Sequence, residues 1–264
     1  MLPLDVITIG IEPEFEVGPL TFAWHGVTIA LGLLVGGFVA VVYGREIDLG
    51  MDPLLNIGML AGLGGIVGSK LLYVAEQGGP ILGTGGFSLA GGVILAALLI
   101  VGYIWRQGLS WRYVDAVALA FPAGLAVGRI GDVINGEHFG PESSFFLAVR
   151  NSSPQALTPN PDLAYHSGGL YEVILGVLIF ATIWPLRHRL PVTGQITCLV
   201  LGLFAAGRFV EFFFRFDSPD SILGLNNTQW ISLAMLAVAV AGWMVIRRDR
   251  HLPAREGNAA GSSS

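Results

Sequence analysis

Hydrophobic positions in this chain gather into seven runs: Phe22–Tyr43, Leu54–Ala75, Ser88–Trp105, Tyr113–Ile134, Gly169–Leu186, Gly194–Phe214 and Thr228–Ile246. Each is near the twenty residues that an α-helix needs to cross a hydrocarbon core about 30 Å thick. The runs are rich in Gly, Ala and Leu, which suits tightly packed membrane helices. Clusters of Gly, Pro, Asn and Asp, with charges among them, separate the runs. The pattern predicts an all-α polytopic membrane protein with seven transmembrane helices. The one long connection, 135–168, predicts a small extracytoplasmic head, so residues 1–246 form a single membrane domain. From Arg247 the sequence turns basic and then Gly/Ser-rich, which predicts a disordered cytoplasmic tail over 247–264.

Composition agrees with the pattern. Hydrophobic residues make up 53% of the chain and charged ones 12%, against roughly a quarter charged in a soluble domain. A formal charge of −5 suggests no nucleic-acid partner. The single cysteine, Cys198, lies inside an apolar run, so a disulfide within the chain and a cysteine-rich metal site are both excluded; it reads as a small buried hydrophobe. The first nineteen residues carry acids and no Lys or Arg, and so lack the basic start of a cleavable signal peptide.

Orientation follows from the loop cations. With the N-terminus outside, the inner side receives Arg45, Arg106, Arg112, Arg187, Arg189, Arg247, Arg248, Arg250 and Arg255, and the outer side only Arg150 and Arg215. The expected location is the cell (inner) membrane, with the C-terminus in the cytoplasm.

Three cations remain inside runs: Lys70, Arg129 and Arg208. Each costs about 2.5–3.5 kcal/mol at a helix centre. Either they lock helices together as buried ion pairs or they serve a site. All three lie late in outward-running spans, level with Trp24, His25, Tyr171, Glu172 and Gln229, which begin the inward ones. Asp115 alone sits near an inner end, close enough to the interface to be solvated. The polar groups thus describe a pocket open toward the outer leaflet. A transporter would instead need groups spread through the bilayer, with a site near the midplane. A cationic pocket suits a lipid phosphate, because Arg offers a planar fork of donors and keeps its charge when buried.

The densest polar stretch runs from Gly128 to Gly140. Arg129 and Asp132, three apart, share a helix face, and Asn135 and Glu137 follow where glycines interrupt the helix. Here the chain resembles the prolipoprotein diacylglyceryl transferase family, whose signature G-R-x-G-N-F-x-N-x-E-x-x-G is matched by Arg129, Gly131, Asn135, Glu137 and Gly140. Further stretches resemble the family in the same order along the chain: Gly18–Thr21 with Trp24-His25-Gly26, Gly68–Leu71 with Tyr73, His166 with Leu170–Glu172, Gly207–Phe209 with Glu211, Phe212 and Arg215, and Gln229-Trp230 with Ser232.

The resemblance implies a reaction in which the glycerol carbon of phosphatidylglycerol joins the lipobox cysteine thiol of a prolipoprotein and glycerol phosphate leaves. The implied partners are phosphatidylglycerol, lipobox prolipoproteins and membrane lipid. No cofactor or metal is implied. Arg129 would bind the head group, assisted by Lys70, Asp132, Asn135 and His25. Arg208 would stabilise the departing phosphate with Glu211 orienting it, and Glu137 would join Arg208 in catalysis.

Five positions depart from the family pattern. Asp132 stands where Asn is usual, Val133 where Phe is usual, Ala23 where Arg is usual, His25 where Tyr is usual, and Ala90 where a histidine is usual. The last departure leaves His25, His138 or the arginine field to generate the thiolate, and His138 is the expected base. Glu172 reads equally as a cap or a site residue, His166 as a loop histidine satisfied by water or backbone, and Phe212–Phe214 as an interfacial aromatic belt. The alternative to an enzyme is a non-catalytic lipid or lipoprotein binder of the same fold.

Overall fold

A computed structural model describes residues 6–77, 81, 88–216, 218 and 221–249. Every apolar run is helical in it. The helices are α1 (Trp24–Glu46), α2 (Met51–Gln77), α3 (Leu89–Arg106), α4 (Arg112–Gly128), α5 (Ile130–Asn135), α6 (Gly168–Leu186), α7 (Gln195–Glu211) and α8 (Asn227–Asp249). Among the described residues, five stretches are long and apolar enough to cross a membrane: Trp24–Glu46, Met51–Ala75, Arg112–Asn135, Gly168–Arg189 and Asn227–Arg248. A sixth apolar helix, Gly91–Arg106, is shorter. The helices turn many large apolar side chains outward, among them Leu34, Phe38, Leu63 and Leu98. Such surface is an aggregation hazard in water and ordinary against lipid. The chain is a multi-pass membrane protein.

Inside the bundle, Ile57, Ile104, Leu119, Ile179, Ile183 and Ile196 form the principal core. Close helix approach depends on glycine where α1 crosses α4. A Cβ on Gly32 would lie 2.5 Å from the Gly124 carbonyl oxygen, so the two backbones meet where only hydrogen fits.

The end of the bundle built from the α1 C-terminus and the start of α7 is polar but settled. Asp115 is buried, not solvated as its position in the sequence suggested. It accepts from the Gly194 and Thr197 amides at 2.7 and 2.9 Å and from the Thr197 hydroxyl at 2.6 Å. The α7 N-terminus has no cap of its own, so a carboxylate from α4 supplies one and meets the positive end of the helix dipole. At the same end Glu46 pairs with Arg187 at 2.7 Å.

The all-α expectation fails at the other end. Residues 7–9 (β1), 139–142 (β4), 149–151 (β5) and 165–167 (β6) form a four-stranded sheet ordered β1-β5-β6-β4, and 14–17 (β2) pairs with 20–23 (β3) as a hairpin. β1 runs parallel to β5, with Ile7 opposite Val149. Strands of three or four residues are too short to print an alternating pattern on the sequence. The hairpin also takes Phe22 and Ala23, which delays the first helix to Trp24. At the far end, α8 continues through Arg247 and Arg248 to Asp249, into the segment expected to be a disordered tail. Residues 250–264 lie outside the described residues.

The α1–α4 crossing generates a test. Gly32→Ala should lower stability by about 1–3 kcal/mol through overpacking, read as a lower thermal midpoint in detergent. Gly37→Ala, where a Cβ meets open space, should leave the midpoint unchanged.

Candidate active site

The site begins with a broken helix. α4 stops at Gly128, Arg129 forms the joint, and α5 resumes at Ile130. Thr28 of α1 bridges the joint: its hydroxyl accepts from the Gly131 amide at 3.1 Å and lies 3.0 Å from the Gly128 carbonyl, to which it donates. α5 ends on Gly136, whose φ of +70° is the left-handed conformation that closes a helix. Asn151 of β5 donates to the Val133 and Ile134 carbonyls at 2.8 and 3.0 Å. The sheet therefore satisfies the orphan carbonyls of α5 and fixes the signature segment.

Arg129 and Asp132 are bonded to each other, as their spacing predicts. Arg129 also pairs with Glu172, which is completely buried on α6. Glu172 is no cap, because the Ser167 side chain holds that position. It receives Arg208 of α7 as well, and Arg215 at 2.9 Å. Arg215 in turn holds Glu211 at 2.5 Å, while Arg208 lies 3.9 Å from Glu211. Three guanidiniums thus interlock with Asp132, Glu172 and Glu211, and the charges balance. The isolated cationic pocket expected from sequence is a neutralised network.

Phe212 is buried between two of these arginines, its ring 4.7 Å from the Arg208 guanidinium and 4.3 Å from that of Arg215. It belongs to the site, whereas Phe213 and Phe214 are exposed as a belt requires. Arg215 reaches its place because Gly168 has no side chain; a Cβ there would lie 2.8 Å from the arginine Cδ. The sequence pattern places Arg215 in an outer loop. Its spacing of four from Glu211 was the available signal.

Around Asp132 a second group assembles. His25 Nδ1 lies 2.7 Å from Asp132 Oδ1 and 3.8 Å from Glu137. His138 Nε2 is 3.7 Å from Asp132, beyond hydrogen-bond range. Asn135 donates to Glu137 at 2.8 Å and borders a cavity of about 370 Å³ that Pro13, Glu14, Ala23, Gln155 and Leu157 also line. His25, Asp132 and Glu137 present ligand atoms within 4.8 Å of one another, and Asp132 also carries the Arg129 guanidinium. Lys70 stands on α2, buried, with its ammonium 5.7 Å from the Tyr73 ring. His166 is no solvated loop residue: it lies in β6, bonds the Tyr171 hydroxyl and faces the Phe214 ring at 5.1 Å. Burial pushes its imidazole below the usual range.

A multi-pass membrane protein with balanced charges buried at one end of its helices defines a class, one that embeds an ionic network among its membrane helices. Comparison narrows it. A family model described as prolipoprotein diacylglyceryl transferase matches residues 13–245, and the chain belongs to that family. A relative from Aromatoleum aromaticum is 33% identical over 266 residues, covering 90% of this chain and 98% of its own. One from Neisseria meningitidis is 29% identical, covering 89% and 96%, and one from Erythrobacter litoralis is 27% identical, covering 97% and 98%. All three bear the name phosphatidylglycerol--prolipoprotein diacylglyceryl transferase.

The network predicts unequal ion pairs. Glu172→Gln strands buried guanidiniums and should lower unfolding stability by roughly 3–5 kcal/mol. Glu46→Gln breaks the more accessible pair with Arg187 and should cost no more than about 1 kcal/mol. Chemical denaturation in one detergent compares the two.

Proposed function

We propose that this protein moves the diacylglyceryl group of phosphatidylglycerol onto the lipobox cysteine of prolipoproteins, forming a thioether and releasing glycerol phosphate. The observation that carries the reading is the convergence of Arg129 and Arg208, from separate helices, on the single carboxylate of Glu172, in a chain of this family. Glu172 holds the two guanidiniums at a fixed separation. Arg129 uses Nε and Nη1 on Glu172 and Asp132, so Nη2 is the nitrogen it turns to the lipid phosphate. Arg208, set by Glu172 and Glu211, stabilises charge on the phosphate oxygen as its bond to carbon breaks. Glu137 and Asn135 border the reacting groups, and an imidazole at this end takes the thiol proton. Lys70 lies on α2, and its substrate role rests on the family resemblance.

The seven apolar runs all cross the membrane in this reading. α3 and α7, of 18 and 17 residues, reach about 25–27 Å at 1.5 Å per residue, a mismatch that local thinning accommodates. The site end faces outward in the cell (inner) membrane, the sheet of 139–167 forms the extracytoplasmic head together with residues 7–9, and the C-terminus is cytoplasmic. Burial of Arg215 leaves Arg150 as the single loop cation counted on the outer side, which sharpens the bias of positive charge to the inner one.

Purified protein incubated with phosphatidylglycerol and a lipobox peptide should add one diacylglyceryl mass to the cysteine. Arg129→Lys and Arg208→Lys should each lose most of this activity, on the order of 2–5 kcal/mol, because a point charge cannot reproduce a planar fork. Near-normal turnover in either variant would assign the arginines to stability alone. Separately, a reporter active only outside the membrane should work when fused within residues 143–160 and fail after Ile246; the reverse pattern would overturn the orientation.

A further inference from the structure

We propose that His25 is the general base that generates the thiolate, with the carboxylate of Asp132 as its positioning residue; this rests on the transferase reading above. His25 sits in the first turn of α1, where its Nδ1 lies 2.7 Å from Asp132 Oδ1. A carboxylate that close to one ring nitrogen favours the proton there and leaves Nε2 as the basic nitrogen. Asp132 is 1% exposed and the imidazole 35%, so the orienting group is sealed while the ring stays accessible to a thiol. That is the base-with-orienter geometry that catalytic imidazoles use.

The platform beneath the ring is rigid. A Cβ on Gly131 would lie 2.5 Å from the His25 Cα, and the Thr28 hydroxyl is 3.1 Å from the His25 carbonyl while it also holds the broken helix. Backbone contacts, rather than the imidazole, therefore set the position of His25. His138 Nε2 is 3.7 Å from Asp132 Oδ2, the oxygen that already carries Arg129. His25 is therefore proposed in place of His138, the base expected from sequence. His25 and Asp132 are also two of the five positions at which this chain departs from the family pattern, and they are in direct contact.

The charged groups facing the imidazole are Asp132 of α5, Glu137 and His138 of the following turn and, across Asp132, Arg129. In the step, the lone pair on Nε2 takes the thiol proton and the sulfur attacks the glycerol carbon that bears the phosphate. The C–S bond forms as the C–O bond breaks, and the electron pair leaves with glycerol phosphate. Asp132 stabilises the imidazolium until its proton passes to the departing phosphate or to water. Because Asp132 also holds Arg129, one carboxylate sets the base and the phosphate grip at a fixed spacing.

The test measures kcat/KM against pH, from about 6 to 9 so as to bracket the free thiol pKa near 8.5, for full-length protein in phosphatidylglycerol vesicles with a lipobox peptide. Transfer by the unaltered protein comes first; its absence would sink the transferase reading itself. Loss of a general base should slow His25→Gln by about 10²–10⁴-fold at neutral pH, with recovery as the pH nears the thiol pKa. Gln can keep a contact to Asp132 and guards against misfolding, and His25→Ala should follow the same profile. Asp132→Asn should move the acid limb to lower pH, because the imidazole loses the anion that favours its protonation, a shift that a purely structural role would not produce. His188→Ala, at the opposite end of the bundle, should keep the original profile. A flat, unimpaired profile for His25→Gln would overturn the proposal, as would the loss and recovery appearing in His138→Ala instead.

Discussion

A carboxylate with no access to solvent is tolerable only if cations surround it, and Glu172 is that carboxylate. Its two oxygens draw Arg129 from the α4–α5 joint, Arg208 from α7 and Arg215 from the turn beyond. Because each arginine comes from a different stretch of chain, the ion pairs act as a clamp on tertiary structure. The return in stability is small, since desolvation offsets much of the Coulomb attraction. What the clamp supplies is position: two guanidiniums stand on either side of one acid, so an anion arriving at their far edges meets donors whose geometry is already set.

The same acid explains why a charged site can persist inside an apolar bundle. An uncompensated cluster of arginines would repel itself and attract any available anion. Interlocking with Asp132, Glu172 and Glu211 removes the net charge but not the directed N–H groups. In the proposed reading, recognition depends on geometry and on exchange of partners, which favours a ligand with a planar or tetrahedral set of oxygens.

Legibility from sequence followed the physics of each layer. The helices could be read because hydrocarbon imposes one rule, a long apolar run with satisfied backbone. Lys70, Arg129 and Arg208 stood out for the same reason, as charges where lipid forbids them. The sheet was silent, since a strand such as Tyr165–Ser167 is three residues long and its partners lie elsewhere in the chain. Glu172 was visible but ambiguous: nothing local says that Arg215, forty-three residues on, folds back over Gly168 to reach it. Asp115 misled because proximity to a span end suggested water, whereas its real partner is the uncapped end of another helix. The contact between His25 and Asp132 also joins residues far apart in sequence, and only the close passage of α1 past Gly131 brings them together.

The parallel pairing of β1 with β5 bears on how such a chain is made. Residues 7–9 are synthesised before α1, yet their partner strand, Val149–Asn151, emerges only after α1 through α5. No hairpin can shortcut that wait, because a parallel pair always needs a long crossover. The N-terminal strand must therefore remain unpaired while the ribosome delivers and the membrane accepts the intervening helices. Closure of the sheet is then a late event in biogenesis, and it is this event that brings Asn151 to the α5 carbonyls. A nascent chain halted before β5 holds the signature segment without the strand that rigidifies it. Assembly of the charged end thus trails insertion of the first helices, leaving an interval in which an immature protein occupies the membrane with its sheet still open.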